Sequence, residues 1–421
     1  QPPDGNHLEE SGGDGGMNFR SYEIKDICKI KSGKRLPKGT DFSEKPTKHK
    51  YIRARDIKNG KIDGSDLGYI SEETQKKIER YIVNTNDIII TIAGTIGEVA
   101  LVSKKFDGVN LTENAVRLTE FSKDVCPEFL AYILKSPERK EYMEQVAGGS
   151  AQPKLGIYKI EAIKVDLPDV QIQHKIADIL SAYDNLIENN QKQIKLLEEA
   201  AQRLYKEWFV DLRFPGHENT KIVDGVPEGW QYEKLGDLVK TTSGGTPSRR
   251  KSEYYVNGNI RWIKTKELND RFIFETEEHI TEDAVKNSSA KVLPEGALIV
   301  AMYGATIGKI GITAAEMACN QACCAFISFD DMISKEYLYC WLMDNREYLV
   351  SQGKGAAQSN LSQEMIRNFS LLCPDKKVIK KFTEIVTTIL ENKRVLENKI
   401  LMLSKARDDL LPKLMSGEVE V

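Results

Sequence analysis

A chain of 421 residues is longer than one core can fill, so its length implies two to four domains. Apolar residues at 40% and charged residues at 29% are ordinary globular composition, and the longest apolar runs, Ile88 to Ala93 and Ala297 to Tyr303, are strand-length, which excludes a membrane-spanning helix. The net charge of −3 excludes a protein that coats nucleic acid by bulk charge, though not local basic patches, and seven irregularly spaced cysteines fit a reducing cytoplasm.

Gln1 to Gly16 is rich in Gly, Asp and Glu and does not begin with Met. It reads as an added tag or a disordered tail, with Met17 as the native start. Residues 17–171 read as a first globular unit. Short strands are expected at Tyr51–Ile52, Asp87–Ala93 and Val99–Val102, and one amphipathic helix over Pro127–Met143. Between Lys29 and Lys61 stand twelve Lys or Arg against three acids (Asp41, Glu44 and Asp56), a local balance of +9. Alone, such a run is ordinary solvated surface. Gly33, Pro37, Gly39 and Tyr51 interrupt it here, which points to exposed loops that present charge.

The next stretch, Ile172 to Trp208, has no Pro or Gly. Ile176, Leu180, Tyr183, Ile187, Asn190, Ile194, Leu197, Ala201, Leu204 and Trp208 alternate at spacings of four and three, the a/d seam of a coiled coil. A spacer helix is expected over 172–214, where Phe214-Pro215-Gly216 ends the pattern, and a linker over 215–225.

From Val226 to residue 377 the first unit repeats. Ser32-Gly33 returns as Ser243-Gly244, and Ile52-Arg53-Ala54-Arg55-Asp56-Ile57 as Ile263-Lys264-Thr265-Lys266-Glu267-Leu268, both at an offset of 211. Ile92-Ala93-Gly94-Thr95-Ile96-Gly97 returns as Met302-Tyr303-Gly304-Ala305-Thr306-Ile307-Gly308, one residue longer. Gln152, Leu155, Ile160 and Pro168 return as Gln358, Leu361, Ile366 and Pro374 at an offset of 206. Drifting offsets mean that the framework was kept while loops changed length. The chain is a tandem duplication of a domain plus a helix.

This second unit has its own basic stretch, with seven basic residues and one acid between Lys240 and Lys266, among Tyr254, Tyr255 and Trp262. Basic loops with aromatics and hydroxyls suit phosphate positioning and base-edge reading. In Thr242-Ser243-Gly244-Gly245-Thr246-Pro247-Ser248 the glycines are expected to let backbone N–H groups approach a phosphate; an ordinary Gly-Pro turn is the plainer reading. Cys319, Cys323 and Cys324 cluster with no histidine nearby and are expected to pack in the core.

The closing helix, expected over 378–417, repeats the seam. Adding 206 to each position gives Phe382, Val386, Ile389, Lys393, Leu396, Ile400, Leu403, Arg407, Leu410 and Leu414. Two matched seams predict that the helices pack on each other, antiparallel because the chain must return. Each would be about 55 Å long at about 1.5 Å per residue. Asn190, Lys393 and Arg407 are expected to lower stability while fixing register. The fold class is α+β: two repeated mixed α/β domains separated by two long antiparallel coiled-coil helices.

In their order, twice over, these motifs resemble the specificity subunit of type I restriction–modification systems. The carriers are Ser243-Gly244-Gly245-Thr246-Pro247-Ser248, Arg261-Trp262-Ile263-Lys264-Thr265-Lys266, Gly304-Ala305-Thr306-Ile307-Gly308 and the Gln358/Leu361/Pro374 segment, within a likeness spanning Met17 to Gly417. The first copy departs from the pattern, since Lys31-Ser32-Gly33-Lys34-Arg35 lacks the Gly-Gly-Thr-Pro-Ser run. The resemblance implies two target-recognition domains that each read half of a split double-stranded DNA sequence. It also implies a helical spacer that docks two methyltransferase subunits and restriction (translocase and nuclease) subunits. Residues expected at the DNA are Ser32, Lys34, Arg35, Arg53, Arg55, Lys58, Gln152 and Lys154 in the first repeat. In the second they are Ser243, Gly245, Thr246, Ser248, Arg249, Arg250, Trp262, Lys264, Lys266, Gln358 and Asn360.

Catalytic motifs are missing from the sequence. There is no Asn-Pro-Pro-Tyr or Asp-Pro-Pro-Tyr and no phosphate-binding G-x-x-x-x-G-K-[ST] loop. The five histidines (His7, His49, His174, His217 and His279) are dispersed, which disfavours a metal site or a nucleophile triad. The chain is therefore expected to be a cytoplasmic, non-catalytic DNA reader without a cofactor of its own. S-adenosylmethionine and ATP are expected on its partner subunits. The other reading open at this point is a coiled-coil scaffold that binds protein; steep salt dependence of DNA binding separates the two.

Overall fold

The computed structural model describes residues 18–148, 153–353, 360–419 and 421. They form two compact units, one holding the described residues up to Asp184 together with Lys405 onward, the other Asn185–Ser404. The first unit is thus assembled from two separate stretches of sequence, and the second from one.

In the first unit the strands β1 (Lys29–Ser32), β2 (His49–Ile52), β3 (Ile88–Thr91), β4 (Val99–Leu101) and β5 (Ala115–Thr119) carry the frame. A four-stranded antiparallel sheet has the order β1-β5-β3-β4. Ile88, Ile89 and Ile90 are all fully buried. A strand covered on both faces needs apolar residues without alternation, which is why β3 reads as a continuous β-branched run. Strand β2 pairs with Gly68–Ile70 and, in parallel, with Asn110–Leu111 in a second sheet. Arg20–Glu23 pairs antiparallel with Lys164–Leu167 and ties the start of the domain to its end.

The single helix expected over Pro127–Met143 is in fact two, α1 (Pro127–Lys135) and α2 (Pro137–Ala147). Pro137 makes the break, because it has no N–H to donate and disfavours helical backbone at the residue before it. The Ser136 hydroxyl then accepts the Arg139 N–H at 3.3 Å and starts the new helix. After the domain comes α3 (Val170–Tyr205), which continues as a π turn over Lys206–Val210. Its first part buries Ile176, Ala177 and Leu180 in the same core as Leu414.

The second unit repeats this plan with β6 (Val239–Ser243), β7 (Ile260–Ile263), β8 (Arg271–Ile273), β9 (Leu298–Ala301), β10 (Ile310–Thr313) and β11 (Cys323–Phe329). The main sheet has the order β6-β11-β9-β10-β8, so β8 is an edge strand, parallel to β10. Strand β7 lies between His279–Ile280 and Met317–Cys319 in a neighbouring sheet. Gln231–Lys234 pairs with Ser370–Cys373, matching the pairing that closes the first domain. Helix α4 (Lys335–Asp344) stands where α1 stands in the first repeat, and α5 (Lys376–Ser416) closes the chain.

All twenty expected seam positions are described, and each is buried or half-buried. In the second unit Ala201, Tyr205 and Trp208 of the first long helix share a core with Phe382, Val386 and Leu390 of α5. The direction is antiparallel. Asp184 pairs with Arg407 in the first unit and Glu198 with Lys393 in the second, so the partner number falls as the α3 number rises. All seven cysteines are buried and free. No group of three or more His, Cys, Asp or Glu among the described residues is placed to hold a metal ion, and no described helix is long and apolar enough to cross a membrane.

Candidate nucleic-acid interface

Each unit gathers the segments singled out in the sequence, and it does so with the same backbone contacts. After β1 the chain runs against Asn110–Leu111, where the Lys34 N–H donates to the Leu111 carbonyl at 2.8 Å. After β6 the Gly245 N–H makes the matching bond to the Cys319 carbonyl at 3.0 Å. A Cβ on Gly33 would stand 2.0 Å from the Thr112 oxygen, and one on Gly244 1.8 Å from the Cys319 oxygen. The glycines are there for this close approach. At Gly245 the expectation of an N–H free for a phosphate is corrected, because that N–H is already occupied. Trp262 is likewise 2% exposed, and its indole N–H donates to the Gly245 carbonyl at 3.0 Å. It props the loop from beneath and presents no ring to a ligand.

The Arg53 and Lys264 repeats open two short 3-10 turns, Ala54–Asp56 and Thr265–Glu267. The Arg53 N–H donates to Asp56 Oδ2 at 2.8 Å and the Lys264 N–H to Glu267 Oε2 at 2.7 Å, so each turn is tied by its own acid. The Arg53 guanidinium also grips Asp56 through Nε and Nη2, both at 2.9 Å. The Lys264 ammonium reaches Glu278 at 2.6 Å and Glu277 at 3.0 Å. Both side chains are 19% exposed, whereas Arg55 at 67% and Lys266 at 58% point out of the turns. The Gly-Thr-Ile-Gly motif packs on these turns: Thr95 Oγ1 donates to the Ala54 carbonyl at 3.5 Å, and Thr306 Oγ1 to the Thr265 carbonyl at 2.7 Å.

The last shared segment arrives from behind the glycine turn. The Leu155 N–H donates to the Ile92 carbonyl at 2.9 Å and the Leu361 N–H to the Met302 carbonyl at 2.7 Å. In the first unit this brings Ser32 and Lys154 together around a cavity of about 400 Å³ that Glu113 and Tyr158 also line. In the second, the Asn360 N–H donates to the Gly353 carbonyl at 3.2 Å. Gln152 and Gln358 lie outside the described residues. Two participants were missed from sequence. Tyr158 is 68% exposed at the cavity. Glu113 accepts Arg35 Nε at 2.6 Å, and its repeat partner Gln321 accepts the hydroxyl of Thr246. Their offset of 208, in line with the other repeat offsets, was the available signal.

Charge on these loops differs from the count in the sequence. Lys29 and Lys31 share Glu120, Lys48 meets Glu72 at 2.8 Å, Lys58 meets Asp63 at 2.8 Å and Arg55 meets Asp66 at 3.3 Å. In the second unit Arg261 meets Glu275 at 2.7 Å, Lys266 meets Glu277, and Arg249 meets Glu278 at 2.6 Å while lying 4.4 Å from the Tyr255 ring centre. Lys266 and then Lys264 hold the Glu277 carboxyl down at about 2, as Lys29 and Lys31 hold Glu120. A depressed acid pKa means that the pairing is present above the ordinary value of 4.5 and is lost only as pH falls through about 2. Surface pairs of this kind add little stability; what they change is the charge on offer. Lys38, Lys45, Lys50 and Arg250 make no ion pair among the described residues and, like Ser248, stay exposed.

Comparison with known proteins agrees over nearly the whole chain. The sequence profile of the type I restriction modification DNA specificity domain matches residues 17–199 and again 227–402. The MjaIX specificity subunit of a type I restriction enzyme from Methanocaldococcus jannaschii is 29% identical over 84% of this chain and 82% of its own length. The HindI specificity subunit from Haemophilus influenzae is 25% identical over 96% of this chain and 100% of its own. Among solved structures, the S subunit of a type I restriction–modification system from M. genitalium superposes with a TM-score of 0.64, covering 95% of this chain and 97% of that one at 16% identity. That last likeness concerns the fold.

Proposed function

The chain belongs to the family of type I restriction–modification specificity subunits, and from that premise we propose that it reads a DNA target in two separated halves, one half for each unit, and does no chemistry itself. One observation carries the reading. The same backbone contacts hold the reading loops in both units, while the displayed side chains differ: Lys34 and Arg35 in one, Thr246, Ser248 and Arg250 in the other. One frame with two sets of displayed groups is what two readers of unlike base sequences require.

Partner subunits supply the chemistry in this reading. Two methyltransferase subunits, carrying S-adenosylmethionine, dock on the helices, and restriction subunits use ATP. Leu186, Leu196, Ile385, Val395, Leu401 and Met402 lie outside the seam and remain exposed, which supports docking there. The complex then works on cytoplasmic DNA.

The test is made on the assembled methyltransferase complex. Arg55→Glu is expected to weaken binding to DNA that carries the half-site of the first unit, and Lys266→Glu to DNA that carries the half-site of the second. Equal losses on either DNA would show that the units do not divide the target. The chain alone is expected to transfer no methyl group from S-adenosylmethionine, and transfer by it would overturn the non-catalytic role.

A further inference from the structure

The edge strand β8 is held on its open side by one turn of α5. Lys393 Nζ donates to the Asp270 carbonyl at 2.5 Å, and the Phe272 N–H donates to Glu397 Oε2 at 2.8 Å. Lys393 and Glu397, four residues apart on one helix face, thus offer residues 270 and 272 a donor and an acceptor, as a neighbouring strand would.

The point of attachment is itself fixed. Asp270 adopts the left-handed backbone, φ 64°, uncommon for a side-chain-bearing residue. Its carboxylate accepts from Lys309 Nζ at 2.7 Å, Arg346 Nη2 at 2.5 Å and the Ile310 N–H at 3.1 Å. Lys393, 1% exposed, also pairs with Glu198 of α3 at 2.7 Å and meets the Tyr339 hydroxyl of α4 at 3.2 Å. One ammonium therefore joins both long helices, the domain's helix and its edge strand. Burial pulls the Lys393 pKa down, but Tyr339, Glu397 and Glu198 outweigh it and keep the group charged.

Helix packing does not require this charge. The matching seam position in the first repeat is Ile187, and Glu397 is matched by Gln191. A buried ion pair is also weak evidence for stability, since apolar side chains do as well. Glu397 Oε1 is buried with no hydrogen-bond partner, 3.7 Å from Lys393 Nζ. The first unit makes its own knot with other residues: Asp184 of α3 accepts from Arg407 at 2.5 Å and from the Tyr132 hydroxyl of α1 at 2.7 Å. Strand β8 is moreover followed by Glu275, Glu277 and Glu278, the acids that hold Arg261, Lys264, Lys266 and Arg249.

We propose that Lys393 and Glu397 are positioning residues that lock the second unit's reading loops onto the helix pair and thereby narrow the range of gaps accepted between the two DNA half-sites. The proposal rests on the reading of the chain as a two-part DNA reader.

The experiment uses the full complex with its methyltransferase subunits and a DNA library in which both half-sites are kept and the gap is varied base pair by base pair. Lys393→Met combined with Glu397→Gln removes both charges at nearly constant volume, and Tyr339→Phe removes one hydroxyl while leaving the ring. Methylation at gaps one base pair off is expected to rise about tenfold relative to the native gap, with half-site sequences unchanged and faster hydrogen exchange at the Phe272 amide. A merely structural role would lower methylation in proportion at every gap; that unchanged profile in an assembled variant overturns the proposal. Should the double variant fail to assemble, the profile of Tyr339→Phe decides in the same way. A wild-type complex that methylates no paired half-sites would instead sink the underlying reading.

Discussion

Lys266 stands 58% exposed on the turn that the repeat singles out, yet its ammonium is already engaged by Glu277. Replacing Glu277 with Gln frees Lys266 at the surface, while Lys264 stays paired with Glu278. DNA affinity at low salt is expected to rise, and the slope of log affinity against log salt to steepen by about 0.9 for each phosphate gained. Binding titrations at several salt concentrations check this, and an unchanged slope would place Lys266 away from the phosphates. The same residue marks a limit of reading side chains from sequence. Lys29, Lys31, Arg35 and Lys266 were legible as basic, but their partners Glu120, Glu113 and Glu277 come from other strands and loops, where only the fold brings them close. Trp262 and Gly245 were legible as important for the wrong reason: their places are set by packing beneath the loop.

At the level of elements, spacing alone was sufficient for the long helices. A heptad seam is a local pattern, and every predicted position is buried or half-buried. The junction of helix and domain is held by aromatics instead: Phe382, fully buried, lies 4.9 Å from the Phe209 ring centre, which in turn is 4.8 Å from Tyr337. Phe382→Ala should cost about 3–5 kcal/mol of stability, measured by denaturant unfolding, because the surrounding rings cannot collapse into the gap. A cost near that of a surface substitution would mean that the helix end is only loosely docked. Pro137 lies within the helix span expected over Pro127–Met143, and no apolar residue stands between Leu134 and Tyr142, so the break was marked in the sequence. Lys393 was placed correctly in the seam, although its reach to Asp270 depends on a strand more than a hundred residues away in sequence and its contact with Tyr339 on the docking of α4.

For the whole molecule, the two long helices are continuous through the boundary between the units, α3 at Asp184/Asn185 and α5 at Ser404/Lys405. If they set the spacing of the half-sites, four residues inserted in each, between Asn190 and Ile194 and between Leu396 and Ile400, add about 6 Å of rise. At about 3.4 Å per base pair the accepted gap should widen by one or two base pairs with the half-sites unchanged. A methylome of cells that make the variant reads this directly, and an assembled variant that still methylates only the original gap would rule the ruler out.

The discontinuity of the first unit also bears on how the protein is made. Leu414, 1% exposed, belongs to the same core as Ile24 and Phe129, so that core is incomplete until translation has passed the entire second unit. Residues 185–404 leave the ribosome as one uninterrupted stretch and can reach their final packing first. The domain synthesised earlier must wait with an open face. The unit begun first is therefore the one whose core is completed last.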